Sequence, residues 1–545
     1  MLSGELLVKS ECLPFSRIPH TTQLFADFLS AYPKVQQFYP QPPFFQQWFK
    51  DEARGIRYDS ARREQVSAIL GRQNQFQLWG ASSRTLGNID RLRHGAAALV
   101  TGQQVGLFGG PPFSLYKALT AVKLADLATR GGVDCVPVFW LATEDHDLNE
   151  VNQVSIPGAD ASLEKFVAEV QAMTDAPVGG IAFSEDVQSL LQRAAQLLGD
   201  SDIVVALRHS YRSGQSFGSA FARLFAELFA EWGVILLDAS DPELHRIALP
   251  VYRSAIERAA ELDDALLARG RELDGAGYHQ QVKVTSTSAL LFALRDGARV
   301  PVHRNSAGSE FEIGGEKISQ RELLEQIDSA PEDFSPNVLL RPVVEDYVLP
   351  TLAYTGGSAE VAYFAQAAVV YEKLLGRVTP VIPRFSATLV EPKLRSLLDR
   401  YELGLPDVFH GPEQLREQLA ARALPSELRS AFADAEASLK KSLALVRSSL
   451  ERLDKTLVDA AENAEVKIQH QLESLRAKAA RAELRQAEVL SRHAQLLSNA
   501  LYPNKALQER EIAGIYFLSR YGKDLLRNLY DSIHADCLDH QVISL

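Results

Sequence analysis

From Ser426 to Tyr502 the chain contains neither glycine nor proline, the two residues that most readily break a helix. Within that stretch apolar or small side chains recur at Leu439, Leu443, Val446, Leu450, Leu453, Leu457, Ala460 and Ala464, spaced alternately by four and three. The pattern slips by one extra four at Ile468 and resumes at Leu472, Leu475, Ala479 and Ala482. A seven-residue repeat with a stutter is a coiled-coil seam. As one helix the stretch would be roughly 110 Å long at ~1.5 Å per residue. As a hairpin it would turn near Asp454, whose carboxylate is a good helix cap. In either form a seam this long needs a partner, so a homodimer is expected.

The rest of the chain has a different grammar. An apolar run, Ala96–Val100, leads into the glycine-rich "TGQQVGLFGGPPF" and a helix from about Ser114 to Arg130, clean in its amphipathic pattern. A second run, Val136–Leu141, follows. Strand, loop, helix and strand at this spacing form a βαβ unit with a parallel sheet. A helix over Phe217–Trp232 and a run at Val234–Ser240 add to it, so an α/β, doubly wound core is assembled from separated pieces. We divide the chain into a helical N-terminal part (1–95), core pieces (96–155, 201–265 and 331–410) and insertions (156–200 and 266–330). Alternating segments in 278–318 read as antiparallel hairpins. The coiled coil spans 411–501, and 502–545 returns to the core.

Composition narrows the function. A formal charge of −12 without any basic stripe argues against nucleic acid as a partner. The three cysteines, Cys12, Cys135 and Cys537, lie far apart in sequence with no CxxC spacing, which excludes a disulfide framework and a thiolate zinc knuckle. The first twenty residues hold no apolar run of signal-peptide length, and nothing approaches the roughly 20 apolar residues of a membrane span. A cytoplasmic protein with no membrane partner is expected.

Two constellations carry chemistry. The glycine-rich stretch precedes a helix, whose N-terminus suits an anion; without a ligand it is a plain strand-to-helix turn. It lacks both GK[ST] and GxGxxG, but Gln103 and Gln104 stand at the carboxyl end of a strand, and Lys117 lies one turn into the helix. Thr101, Gly102, Gly109 and Gly110 complete the candidate binding loop. In "WLATEDHDLNEVNQ", Glu144, Asp145, His146, Asp147 and Glu150 crowd the end of the second strand. Thr143 would cap a helix there, which accounts for some of the acids but not for their crowding beside a histidine. His146 or Asp147, supported by Glu144 and Asp145, is the candidate catalytic base, or the cluster recognises an amine. A single histidine makes a metal site the weaker reading. "YPNKALQERE" closes the long helix at Pro503.

Together "TGQQVGLFGGPPFSLYKA", "PVFWLATEDHDLNEVN", "SPNVLLRPVVEDYVLPTLAYTGGSAEVAYFAQ", "PVIPR" and "YPNKALQER" run in order over nearly the whole chain. In these motifs the chain resembles the bacillithiol biosynthesis cysteine-adding enzymes, the BshC family of cysteine ligases. The resemblance implies a Rossmann-like core of the class I nucleotidyl-transfer type with connective insertions, and a C-terminal coiled coil that pairs two subunits. It implies a ligase that joins cysteine through an amide bond to the glucosamine amine of glucosaminyl malate, the last step of bacillithiol synthesis. On that reading Lys117 and Arg384 receive the malate carboxylates, Glu150 belongs to the substrate-binding set, Asn152 contacts the sugar, and Tyr502, Asn504 and Lys505 touch a nucleotide. Tyr116 stands where class I enzymes carry a box histidine, and no "KMSKS" loop follows. The sequence therefore fixes no cofactor; ATP or ADP enters only through the resemblance. The alternatives are a nucleotidyltransferase acting on a sugar or small acid, and a nucleotide-binding coiled-coil scaffold.

Overall fold

The computed structural model describes residues 10–75, 77–305, 310–423, 426–484, 488–534 and 537–545. Residues 1–9, where the N-terminal part begins, lie outside them, as does the side chain of Ala482. Two compact units form. One takes the chain up to Gly158, Leu163–Ala387 and Glu509–Gln541; the other takes Ala159–Ser162, Thr388–Gln508 and Val542–Leu545.

The first unit is built on the expected βαβ: strand β1 (Ala97–Gln103), helix α1 (Pro112–Arg130) and strand β2 (Cys135–Leu141). A short helix α2 (Leu148–Val151), helix α3 (Phe217–Leu228) and strand β3 (Ile235–Asp238) follow. An antiparallel excursion comes next: β4 (Ser288–Arg295), β5 (Ala298–Arg304), β6 (Glu310–Ile313), β7 (Glu316–Ser319) and β8 (Phe334–Pro336). The chain returns through α4 (Arg341–Val348), β9 (Thr351–Gly356), α5 (Ser358–Leu375) and β10 (Val381–Pro383). The main sheet has the order β10-β9-β1-β2-β3, every neighbouring pair parallel.

Both faces of that sheet are covered, as a parallel sheet requires. Ala98, Val100, Val136, Val138, Ile235 and Leu237 face a core shared with N-terminal aromatics and α5. Ala97, Leu99, Cys135, Leu352 and Ile382 face the opposite way, onto Leu124, Ala125 and Ala128 of α1. The helix α1 is not the amphipathic surface helix its pattern suggests. It is buried around most of its circumference, because helices Gly514–Tyr521 and Asp524–Ser532 pack on it from outside the sheet.

In the second unit the seam folds as a hairpin. Helix α6 (Ser426–Leu453) packs along α7 (Val458–Leu484), and α8 (Glu488–Leu501) continues the chain. The turn falls at Asp454, whose carboxylate accepts from the Thr456 N–H at 2.9 Å and its hydroxyl at 2.8 Å. Ion pairs Arg447–Glu462 (3.4 Å) and Arg476–Glu436 (3.5 Å) bridge the two arms. Leu439, Leu443, Leu450, Leu457 and Leu472 are half-buried, whereas Val446, Leu453, Ile468 and Leu475 of the same seam are exposed. Among the described residues no helix is long and apolar enough to cross a membrane.

Candidate functional site

From β1 the chain moves outward through α1 to β2, while β9 lies on the other side of β1. The sheet therefore has a switch point between β1 and β9, the place where open parallel sheets bind ligands beyond their carboxyl ends. A cavity of about 340 Å³ lies there. Gly102 and Gln103 line it from β1 and Gln104 from just beyond it, Trp140 from β2, Ala142 and Asp145 from the loop that follows, and Glu150 from α2. Arg341, Gly357 and Glu360 close it from α4 and α5, with Arg384 and Arg510 beyond. A Cβ at Gly102 would sit 3.0 Å from the Trp140 carbonyl oxygen, so the strands can approach this closely only with glycine there.

Lys117 is the buried cation of the cleft, its side chain 4% exposed. Its ammonium donates to the Gly102 carbonyl at 2.7 Å and to Gln103 Oε1 at 2.8 Å, and pairs with Glu360 Oε2 at 2.7 Å. Burial pushes the ammonium down to about 8, and the Glu360 carboxylate opposes the fall. Burial in turn pushes Glu360 upward, but the Lys117 charge, the Tyr354 hydroxyl (2.5 Å) and the Gly357 N–H (2.7 Å) hold it below the ordinary carboxylate range. The pair is thus ionic at neutral pH. Arg341 donates to Glu345 (2.9 Å) and to the Tyr363 hydroxyl (2.6 Å). Arg384 donates to Glu509 at 2.6 Å and lies 5.6 Å from the Phe113 ring centre. Each guanidinium is aimed by a carboxylate tether, which fixes its direction before any ligand arrives.

The opposite wall is acidic. One amide group, Gln104 Nε2, donates to Asp145 at 2.8 Å and to Glu150 at 2.9 Å, holding the two carboxylates side by side. Asp145 also accepts from the His146 N–H at 2.7 Å, while Glu150 stands exposed at the rim. Cations on one wall and carboxylates on the other make a cleft of two signs.

The structure thus brings together Gly102, Gln103, Gln104, Lys117, Asp145, Glu150 and Arg384 from the candidate residues. The others go elsewhere. Thr101 is buried and its hydroxyl donates to the Thr355 carbonyl at 2.8 Å, tying β1 to β9. Gly109 and Gly110 are absent from the lining: their turn packs on α3, and the Gly109 N–H donates to the Tyr211 hydroxyl at 3.0 Å. With φ at +83° and a Cβ that would meet Leu224 at 3.0 Å, Gly109 is required by the turn itself. Thr143 caps no helix. Its hydroxyl donates to Asp238 at 2.5 Å, and Asp147 caps α2 instead, accepting from the Glu150 N–H.

His146 and Asp147 line a separate depression with Met173 and Asp175. His146 Nδ1 is 3.4 Å from the Arg299 guanidinium, and its ring is 5.7 Å from that of Phe292. Glu144 turns inward, 14% exposed, with Oε1 3.3 Å from His245 Nε2. Burial pushes Glu144 up to about 8 and His245 down to about 4, so both are neutral near pH 7. Asn152 ends α2 and its carbonyl accepts from the Ala168 N–H.

Tyr502, Asn504 and Lys505 belong to the second unit. The Tyr502 ring is buried against Phe409 at 4.7 Å, while Asn504 and Lys505 are exposed. Tyr116 is a core residue, its ring 5.1 Å from Phe385. The charged cleft residues not singled out from sequence are Glu360, Arg341 and Arg510. Glu360 carries the one usable sign: a glutamate three residues past a strand-ending Gly-Gly, where it reaches back to the helix start.

Comparison with known proteins gives a consistent result. Residues 8–385 match the family model "Bacillithiol biosynthesis BshC, N-terminal Rossmann-like domain", and residues 387–545 match "Bacillithiol biosynthesis BshC, C-terminal coiled-coil domain". A "Putative cysteine ligase BshC" of Koribacter versatilis is 49% identical over 533 residues, covering 98% of this chain and 99% of that protein. Proteins of the same name from Solibacter usitatus (37%; 98% and 99% covered) and Salinibacter ruber (33%; 96% of each) are similar over the same span.

Proposed function

The chain belongs to the bacillithiol biosynthesis BshC family, and from that premise we propose that it is a cysteine ligase joining the cysteine carboxyl to the glucosamine amine of glucosaminyl malate. The observation that carries this reading is the cleft of two signs. Glucosaminyl malate bears one amine, on the sugar, and two carboxylates, on the malate attached at the neighbouring ring carbon. Arg341, Arg384 and Arg510 suit the dicarboxylate, with the Lys117 charge behind them, and Asp145 with Glu150 suits the ammonium. The amine must lose a proton before its nitrogen can attack. Glu150, exposed at the rim and oriented by Gln104, accepts that proton as the nitrogen bonds to the activated cysteine carboxyl carbon and the activating group departs. Asp145, held by Gln104 and the His146 N–H, orients the amine.

The exposed apolar side chains of the α6–α7 hairpin support pairing with a second copy. Small, charged substrates and uncrosslinked thiols suit the cytoplasm. The test is mass spectrometry of glucosaminyl malate and cysteine incubated with the enzyme, with and without ATP. The cysteinyl adduct is expected from the wild-type protein and not from Glu150→Gln. No adduct in either arm contradicts the reading.

A further inference from the structure

The three cysteines have three different surroundings. Cys135 is buried in β2, where burial pushes its thiol far up and keeps it inert. Cys12 and Cys537, 525 positions apart in sequence, meet in the fold with their sulfurs 2.9 Å apart. The contact is held from both sides. Cys12 lies in the strand Ser10–Leu13, and the Ser10 hydroxyl donates to Gln541 Oε1 at 2.9 Å. On the other side Gln541 donates to the Ser532 carbonyl at 3.1 Å, and the Cys537 N–H donates to the His534 carbonyl at 3.2 Å. The two thiols differ in access: Cys12 is exposed and Cys537 half-buried. Burial, with the neighbouring Cys12, pushes the Cys537 thiol up to about 12, so it keeps its proton while Cys12 meets solvent.

We propose that Cys12 and Cys537 form a thiol–disulfide exchange site that accepts low-molecular-weight disulfides and closes to a bond between the N-terminal strand and the C-terminal segment. Cys12 loses its proton and its sulfur attacks one sulfur of the incoming disulfide; the S–S bond breaks and one thiol leaves with that proton. The Cys537 sulfur then attacks Cys12 Sγ, its proton passing to the second departing thiol. Two protein thiols are oxidised, one small disulfide is reduced to two thiols, and nothing else is consumed. The inference is independent of the ligase reading, since it uses no residue of the cleft.

The test exposes the reduced full-length protein to glutathione disulfide and follows its intact mass. The wild type is expected to lose two hydrogens and retain no glutathione, to give a Cys12–Cys537 cross-linked peptide, and to revert with dithiothreitol. Cys537→Ser should trap one glutathione on Cys12, and Cys12→Ser should stay unmodified. The closed wild type should also melt several degrees higher than its reduced form, a gap absent from both variants. Glutathione retained on wild-type Cys12, a bond between chains, or a wild type that stays reduced would each overturn the proposal.

Discussion

The mouth of the parallel sheet and the α6–α7 hairpin break the ordinary rules of folding in opposite ways. At the mouth, charges sit where water is scarce, and each has a partner: Lys117 with Glu360, Arg384 with Glu509, Arg341 with Glu345. On the hairpin, Leu445, Val446, Leu453, Val466 and Leu475 stand more than half exposed. Burying a charge is costly unless it is paired, and leaving an apolar stripe in water is a liability unless something covers it. The first departure marks a place for a small charged ligand, the second a place for another chain. Within one molecule, the sign of the departure tells the kind of partner.

The comparison breaks if the two regions respond alike to substitution. The largest effect is expected from Lys117→Met, which strands the Glu360 carboxylate in a buried position; a loss of about 3–5 kcal/mol should appear in urea unfolding. A loss under 1 kcal/mol would mean the pair is more hydrated than its geometry indicates. The double variant Val446→Asp/Leu475→Asp should instead change unfolding stability by no more than about 0.5 kcal/mol per site, while light scattering shows the particle mass halved. Substituting half-buried Leu450 or Leu457 would test the hairpin itself instead.

Two smaller effects depend on pH. With Lys117 pushed down to about 8, the cleft loses a positive charge as pH rises through that value. The KM for the dicarboxylate substrate should therefore rise up to about tenfold between pH 7 and 9. A flat profile would remove Lys117 from the anion wall. Glu144 works on stability. Its folded carboxyl is raised to about 8 from the ordinary 4.5, so its contribution is full below 4.5 and is lost as pH rises toward 8. The slope is at most about 1.4 kcal/mol per pH unit. His245, pushed down to about 4 from 6.5, contributes in the opposite window, fully above 6.5 and decreasingly toward 4. Between pH 6.5 and 8 the melting temperature of wild type should fall more steeply than that of Glu144→Gln.

The βαβ framework was legible because strands buried on both faces read as short apolar runs. The ends were not. Strand β1 runs past Val100 to Gln103, pairing Thr101 with Phe139, Gly102 with Trp140 and Gln103 with Leu141, because the residues that turn toward a cleft are small or polar. The "EDHD" cluster shows a second limit. Adjacent residues on an irregular loop point in different directions, so Glu144 goes inward, Asp145 faces the cleft, and His146 with Asp147 lines another depression. Sequence shows that they crowd, not where they point. Arg341 and Arg510 are ordinary locally and meaningful only across the sheet's switch point, and the local sign at Glu360 shows a helix cap but not its cleft partner. The hairpin turn at Asp454 was readable from its capping chemistry, but how the seam divides between intrachain packing and exposure was not.

The most direct measurement is calorimetric: the affinity of glucosaminyl malate against that of its N-acetylated analogue, which keeps both carboxylates but masks the amine. If Asp145 and Glu150 receive the ammonium, the wild type should prefer the free amine by about 10–100-fold, the range of hydrogen bonds to charged groups. Asp145→Asn/Glu150→Gln should erase that preference while His146→Ala retains it. Equal binding of the two compounds by the wild type, or a preference lost with His146 and kept without the two carboxylates, would contradict the assignment of the cleft.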